Sequence, residues 1–115
     1  MKNYLYYSFD DELVTDFYFD KINKEIKVGF EGYFDSELNL FIEKECLFTI
    51  SNWSDAKSQI NSDKISTLDR YMGIISMILY MKYNKKEELE MLIYTVDNRY
   101  ITLFFVQPQI DLLIK

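Results

Sequence analysis

The chain has 115 residues, of which 49% are hydrophobic, 28% charged and 17% aromatic, with no histidine, one cysteine and a net charge of −6. Without histidine there is no base for a Ser-His-Asp or Cys-His nucleophile. The common zinc ligand sets and an intramolecular disulfide are excluded as well. Three glycines and one proline rule out a glycine-rich phosphate loop and any low-complexity architecture.

This length suits one domain spanning residues 1–115. Its charge is unevenly spread. Residues 1–55 carry twelve acids against five lysines, and residues 56–115 carry seven acids against eight bases. The negative field therefore belongs to the first half. Such a field repels nucleic-acid phosphates and anionic lipid headgroups and attracts a basic partner. It also keeps an aromatic-rich domain in solution, and that plainer role accounts for the charge equally well. Asp10, Asp11 and Glu12 interrupt the N-terminal stretch before an apolar signal core can form. The longest apolar run, Met72–Met81, is about half the length of a bilayer-spanning helix. With one cysteine besides, the expected location is the cytoplasm, with no membrane partner.

Taken in chain order, Thr15, Phe17 and Phe19 alternate with Asp16, Tyr18 and Asp20, the period of a half-buried strand. Ile26, Val28 and Phe30 alternate with Lys27, Gly29 and Glu31, and the short polar Lys21–Lys24 makes the two runs a β-hairpin. Gly29 and Gly32 mark a bulge or a bend; Glu31 and Tyr33 share a face of this strand unless a bulge at Gly32 flips Tyr33 inward. Leu38–Ile42 is read as a short strand. Cys46, Phe48 and Ile50 give a further strand ending near Trp53, in which Cys46 is a small buried hydrophobe. The polar stretch Ser51–Asp69 follows, with one or two helical turns expected over Ser54–Ile60 behind a Ser54 cap. Met72–Tyr83 is apolar on both faces and fits a buried strand or a buried helix. Gly73 and the Ile/Tyr content favour a strand, while Ser66 and Asp69 resemble a capping box. The reading adopted is a helical turn near Ser66–Tyr71 and then a strand. Glu88–Val96 and Tyr100–Val106 form a hairpin around Asp97-Asn98, residues that tolerate the left-handed backbone of a tight turn. Ile110–Ile114, beyond Pro108, is an edge strand or a packed tail. The expected fold is thus mainly β or α+β: one domain of six to seven antiparallel strands, as a curled sheet, sandwich or half-barrel, with one short helical insertion.

Candidate chemistry is sparse. Paired carboxylates for glycoside cleavage sit about 5–10 Å apart, whereas Asp16 and Asp20 lie ~13 Å apart along a strand. The Asp10–Asp20 stretch lacks the glycine of a calcium loop. Lys82, Lys85 and Lys86 are offset by Glu87, Glu88 and Glu90, so they form a solvated turn and no nucleic-acid stripe. No catalytic residue, cofactor or metal is expected. Tyr4, Tyr6, Tyr7, Tyr18 and Tyr33 share the first third of the chain with most of the acids. Tyrosine is enriched at interface hot spots, and two or three of these five are expected to be exposed.

Length, acidity, absence of catalytic residues, a meander ending in the Leu89–Val106 hairpin and the Cys46–Trp53 segment CLFTISNW together resemble the small immunity proteins of bacterial polymorphic-toxin systems, such as contact-dependent growth inhibition. The resemblance implies a one-to-one inhibitor, or antitoxin, of a cognate toxin domain, commonly a nuclease. The expected function is occlusion of that toxin's basic cleft, without enzymatic turnover and without direct nucleic-acid binding. An adaptor or structural subunit acting through protein contacts, and a small carboxylate-based enzyme, are the alternatives. The expected partner-binding residues are Asp10, Asp11, Glu12, Asp16, Tyr18, Asp20, Glu31, Tyr33, Asp35 and Glu37. If the first two strands pair, their outer faces bring like charges side by side, a cost that a basic partner would relieve.

Overall fold

Alternation of apolar and polar residues builds the walls of one core. A computed structural model describes residues 5–61 and 63–115. In chain order its elements are β1 (Tyr7–Ser8), β2 (Glu12–Leu13), β3 (Asp16–Asp20), β4 (Glu25–Phe30), β5 (Tyr33–Asp35), β6 (Leu40–Ile42), β7 (Cys46–Ser51), β8 (Asp55–Ile60), β9 (Lys64–Thr67), α1 (Leu68–Tyr71), β10 (Ile75–Tyr83), β11 (Glu88–Thr95), β12 (Tyr100–Val106) and β13 (Gln109–Ile114). They form three antiparallel sheets, ordered β1-β5-β6, β2-β10-β11-β12-β8-β9 and β13-β7-β4-β3, and none of the sheets closes into a barrel. The mainly-β, antiparallel expectation holds, with its short helical turn. No helix among the described residues is long and apolar enough to cross a membrane.

The four-stranded sheet buries Ile26, Val28 and Phe30 from β4 and Cys46, Phe48 and Ile50 from β7. The six-stranded sheet buries Leu89, Met91 and Ile93 against Ile101, Leu103 and Phe105, every second residue of β11 and β12. All belong to one cluster. Phe9 lies stacked on Phe30 with ring centroids 4.3 Å apart, and Trp53 meets Phe105 at 5.1 Å. Cys46 is buried as expected, and burial pushes its thiol up.

The strand count exceeds the expected six to seven because β1, β2 and β5 are two or three residues long, too short to show a period, and because the polar Ser51–Asp69 stretch holds β8 and β9. Two local expectations are corrected. The helical turns over Ser54–Ile60 are absent: the segment is β8, filling the gap between β12 and β9, and the Ser54 N–H and Oγ both donate to the Val106 carbonyl. Tertiary pairing outweighs a local cap there. The capping box at Ser66 does not form either. Thr67 is the N-cap without a side-chain cap bond, and the Asp69 carboxylate takes Lys21 at 2.8 Å and the Thr67 side chain. The bend expected at Gly32 is present at Glu31-Gly32, where the chain leaves the four-stranded sheet for the small one, whereas Gly29 lies in regular register between β3 and β7.

Gly32 is required at that crossing by space. A Cβ there would sit 2.5 Å from the Phe41 ring and 2.7 Å from the Ile42 carbonyl oxygen. Its backbone is not left-handed, so the constraint is steric alone. Gly32→Ala is expected to destabilise the fold by about 1–3 kcal/mol through overpacking, read as a lower urea midpoint with an unchanged slope.

Candidate functional site

The segment that carries the first acids is held between two sheets by its own backbone. Asp11 takes a left-handed φ of 64° and donates its N–H to the Ile78 carbonyl at 3.1 Å. Glu12 N–H returns to Phe9, Val14 N–H reaches Ser76 on β10, and Thr15 N–H reaches Gly29 on β4 at 2.8 Å. Those bonds use up the backbone and leave the side chains of Asp11, Glu12 and Leu13 outward. Leu13 is 65% exposed. Asp16 then opens β3 directly opposite Gly29, whose missing Cβ would lie 3.1 Å from the Cβ of Asp16.

Two adjoining open depressions result. Asp11, Glu12, Leu13, Val14, Thr15 and Glu31 line one of about 470 Å³. The other, of about 160 Å³, is lined by Thr15, Asp16, Phe30, Glu31, Glu45, Cys46 and Lys115. Thr15 and Glu31 belong to both. Five carboxylates therefore converge: Asp11, Glu12, Asp16, Glu31 and Glu45. The four ion pairs among the described residues are Lys21–Asp69, Lys27–Glu25, Lys82–Glu90 and Arg99–Asp97, and none of them includes any of the five. The one cation at the rim is Lys115. Among the described residues no group of acids, or of acids with Cys46, has the geometry to hold a metal ion.

The expected site residues thus separate. Asp11, Glu12, Asp16 and Glu31 come together, with exposed Asp10 on the adjoining turn. Tyr33 and Asp35 were expected at a partner surface and are buried instead, at 4% and 7% exposure. The bend at Gly32 turns Tyr33 inward against the core, so it does not share a face with Glu31. Asp35 closes its own turn: its Oδ1 accepts the N–H groups of Glu37 and Leu38 at 2.9 and 3.0 Å. Glu37 is exposed, but on that β5–β6 turn and away from both depressions. Asp20 lies at the far end of β3, where its carboxylate accepts the backbone N–H and the side-chain amide of Asn23. Tyr18 is 50% exposed, with the Lys27 ammonium 5.9 Å from its ring centroid. Of the five tyrosines singled out in the first third of the chain, four are described and Tyr18 alone is exposed, against the two or three expected: Tyr6 is half-buried and Tyr7 and Tyr33 are buried. Tyr4 lies outside the described residues.

The expected row of facing like charges on the first hairpin is also corrected. Asp16 faces Gly29 and Tyr18 faces Lys27, so only Asp20 against Glu25 juxtaposes two acids. Glu25 has Lys27 at 3.8 Å, and Asp20 has Asn23. Charge crowding is found instead at the Asp16 end, and it includes Glu45, which the sequence reading missed. Glu45 reaches that end because Cys46 pairs with Phe30, which sets Glu45 beside Glu31. Strand register alone carries that signal. No protein-family model, curated protein or solved structure matches the chain.

Hydrogen bonds from Asn23 hold the Asp20 carboxyl below its ordinary value of 3.8. A lowered folded value means stability that is present above the unfolded value and is lost as pH falls through the folded one. Asn23→Ala is expected to return the Asp20 carboxyl toward 3.8 and to move that acid loss to higher pH. A carboxyl-carbon NMR titration of both proteins checks this.

Proposed function

We propose that the chain is an immunity-type inhibitor that neutralises a basic, nuclease-like toxin domain by covering its substrate cleft. The observation that carries this reading is the convergence of Asp11, Glu12, Asp16, Glu31 and Glu45 around two open depressions, with none of the five ion-paired among the described residues. Gathering like charges costs free energy through self-repulsion. A basic surface docked there would remove that cost, its lysines and arginines meeting carboxylates where a nucleic acid would offer phosphates. Exposed Leu13 gives the contact an apolar element beside the acids. The open shape suits a protein surface better than a small substrate, which calls for a concave and largely enclosed site. The reading gives the site no cofactor and no bound nucleic acid.

The functional test is co-expression with the variable C-terminal domain of a large secreted protein encoded directly upstream. Growth rescue is expected, and failure to rescue overturns the proposal. The site test is charge reversal. Asp16→Lys combined with Glu31→Lys is expected to slow association with the toxin domain by about tenfold or more at low salt. It should also flatten the salt dependence, with an unchanged circular dichroism spectrum. Asp20→Lys, at the other end of β3, is expected to change the on-rate by less than the double variant. Equal effects would move the interface away from the two depressions.

A further inference from the structure

The six sheet edges differ in how they are protected. Edges at β1, β2, β6 and β9 are two to four residues long, too short to template a stable pairing. The edge at β3 reads Asp-Phe-Tyr-Phe-Asp. Antiparallel pairing with a second copy of itself about Tyr18 would set Asp16 against Asp20, like charges directly opposite. The edge at β13 has no such guard. Gln109–Ile114 is six residues long, holds one acid, and contains neither lysine nor proline. Ile110 and Leu112 are half-buried against the core and Ile114 is exposed, so the apolar row of this sheet runs out to its rim and is open at Ile114.

Hydrogen-bond parity fixes which groups that edge offers. Lys115 donates its N–H to the Glu45 carbonyl, so in an antiparallel ladder the odd positions 109, 111 and 113 also turn their backbone groups toward β7. The N–H and C=O groups of Ile110, Leu112 and Ile114 point outward, with no described strand to meet them.

We propose that β13 pairs antiparallel with β13 of a second copy, about a two-fold axis at Leu112. In this register Leu112 faces its own copy and Ile110 faces Ile114 of the other chain. All the outward backbone groups are then satisfied, as three hydrogen-bonded residue pairs. The apolar row of one sheet continues into the next, making one eight-stranded sheet from two four-stranded ones. On the opposite face Asp111 meets Leu113, with Lys115 and Asp111 of the other copy at its two diagonals, so no two carboxylates face each other directly. A shift that centres the axis on Asp111 would put two carboxylates face to face and is disfavoured. The inference does not rest on the proposed inhibitor function. β3, which carries Asp16, is at the opposite edge of the sheet, so the larger acidic depression stays open in the pair, while the smaller one reaches the β13 edge at Lys115.

Sedimentation velocity over a concentration series, at near-physiological salt, reads the assembly. A dimer is expected for the unaltered chain. Ile114→Lys, at an exposed position, is expected to weaken dimerisation by at least about tenfold with an unchanged circular dichroism spectrum. Leu112→Cys is expected to form an intermolecular disulfide on mild oxidation, since residues facing each other in a hydrogen-bonded pair have Cα atoms about 5.5 Å apart. Buried Cys46 should not cross-link in the unaltered chain. A monomer at every concentration overturns the proposal. So does a dimer that survives Ile114→Lys and yields no Leu112→Cys cross-link, because it must use another face.

Discussion

The backbone clamp on residues 11–15 is the constraint on which the arrangement of the molecule turns. Asp11 and Val14 donate to β10 of the six-stranded sheet, and Thr15 donates to β4 of the four-stranded sheet. One short segment therefore ties together two sheets that share no ladder. Its backbone groups are consumed inward, and its carboxylates are left with nowhere to go but out. Asp11 tolerates the left-handed backbone this needs because a short polar side chain costs less there than a branched one. Gly29 completes the arrangement by leaving room for Thr15 Oγ1 and the Cβ of Asp16. The acids are thus displayed by the same contacts that hold the core together, and they sit on strand and turn backbone that is fixed before any partner arrives.

That placement explains why the acidic end has a different character from the other charged regions. Asp69, Asp97 and Asp20 each have a local task. Asp69 pairs with Lys21, Asp97 holds Arg99 at 2.8 Å, and Asp20 receives Asn23. Arg99 in turn donates to the Tyr71 carbonyl at 2.7 Å, joining the β11–β12 turn to the end of α1. The carboxyls of all three acids are held below the ordinary value by hydrogen bonds of this kind. Asp11, Glu12, Asp16, Glu31 and Glu45 have no equivalent task among the described residues, so their charge contributes to the outside of the molecule and not to its fold.

Legibility from the sequence followed strand length and regularity. Where alternation ran five residues or more, as in Ile26–Phe30, Cys46–Ile50 and Leu89–Phe105, the buried side was readable position by position. Met72–Tyr83 resisted because β10 carries two register shifts, between Ile75 and Met77 and between Ile78 and Tyr80. A bulge inserts one residue and inverts the alternation, so a bulged strand shows apolar residues on both faces, as a buried helix does. The site was half legible for a related reason. Sequence distinguishes an acid from a hydrophobe, but the grouping of Glu45 with Glu31 is a property of the β4–β7 register, and the inward turn of Tyr33 is a property of one glycine. Asp35 illustrates the remaining failure: a carboxylate two residues before a turn can be a turn cap, and burial shows which use it has.

The two surfaces singled out by the structure obey different physics, and the fold keeps them apart. Convergent carboxylates act at a distance of about a Debye length and fade as salt rises. An open strand edge acts only at contact, through directed hydrogen bonds that salt does not screen. β3 and β13 are the two margins of one sheet. Acids at both ends of β3 make that margin self-repelling toward a second copy of itself. β13 carries one acid and the row Ile110, Leu112 and Ile114, which in the proposed pairing meets the same row of a second copy. Had the acids been spread evenly, both edges would be weakly guarded and neither selective. Concentrating twelve of the nineteen acids in residues 1–55 leaves one sheet with a margin guarded by charge and a margin that the proposed pairing reads by register.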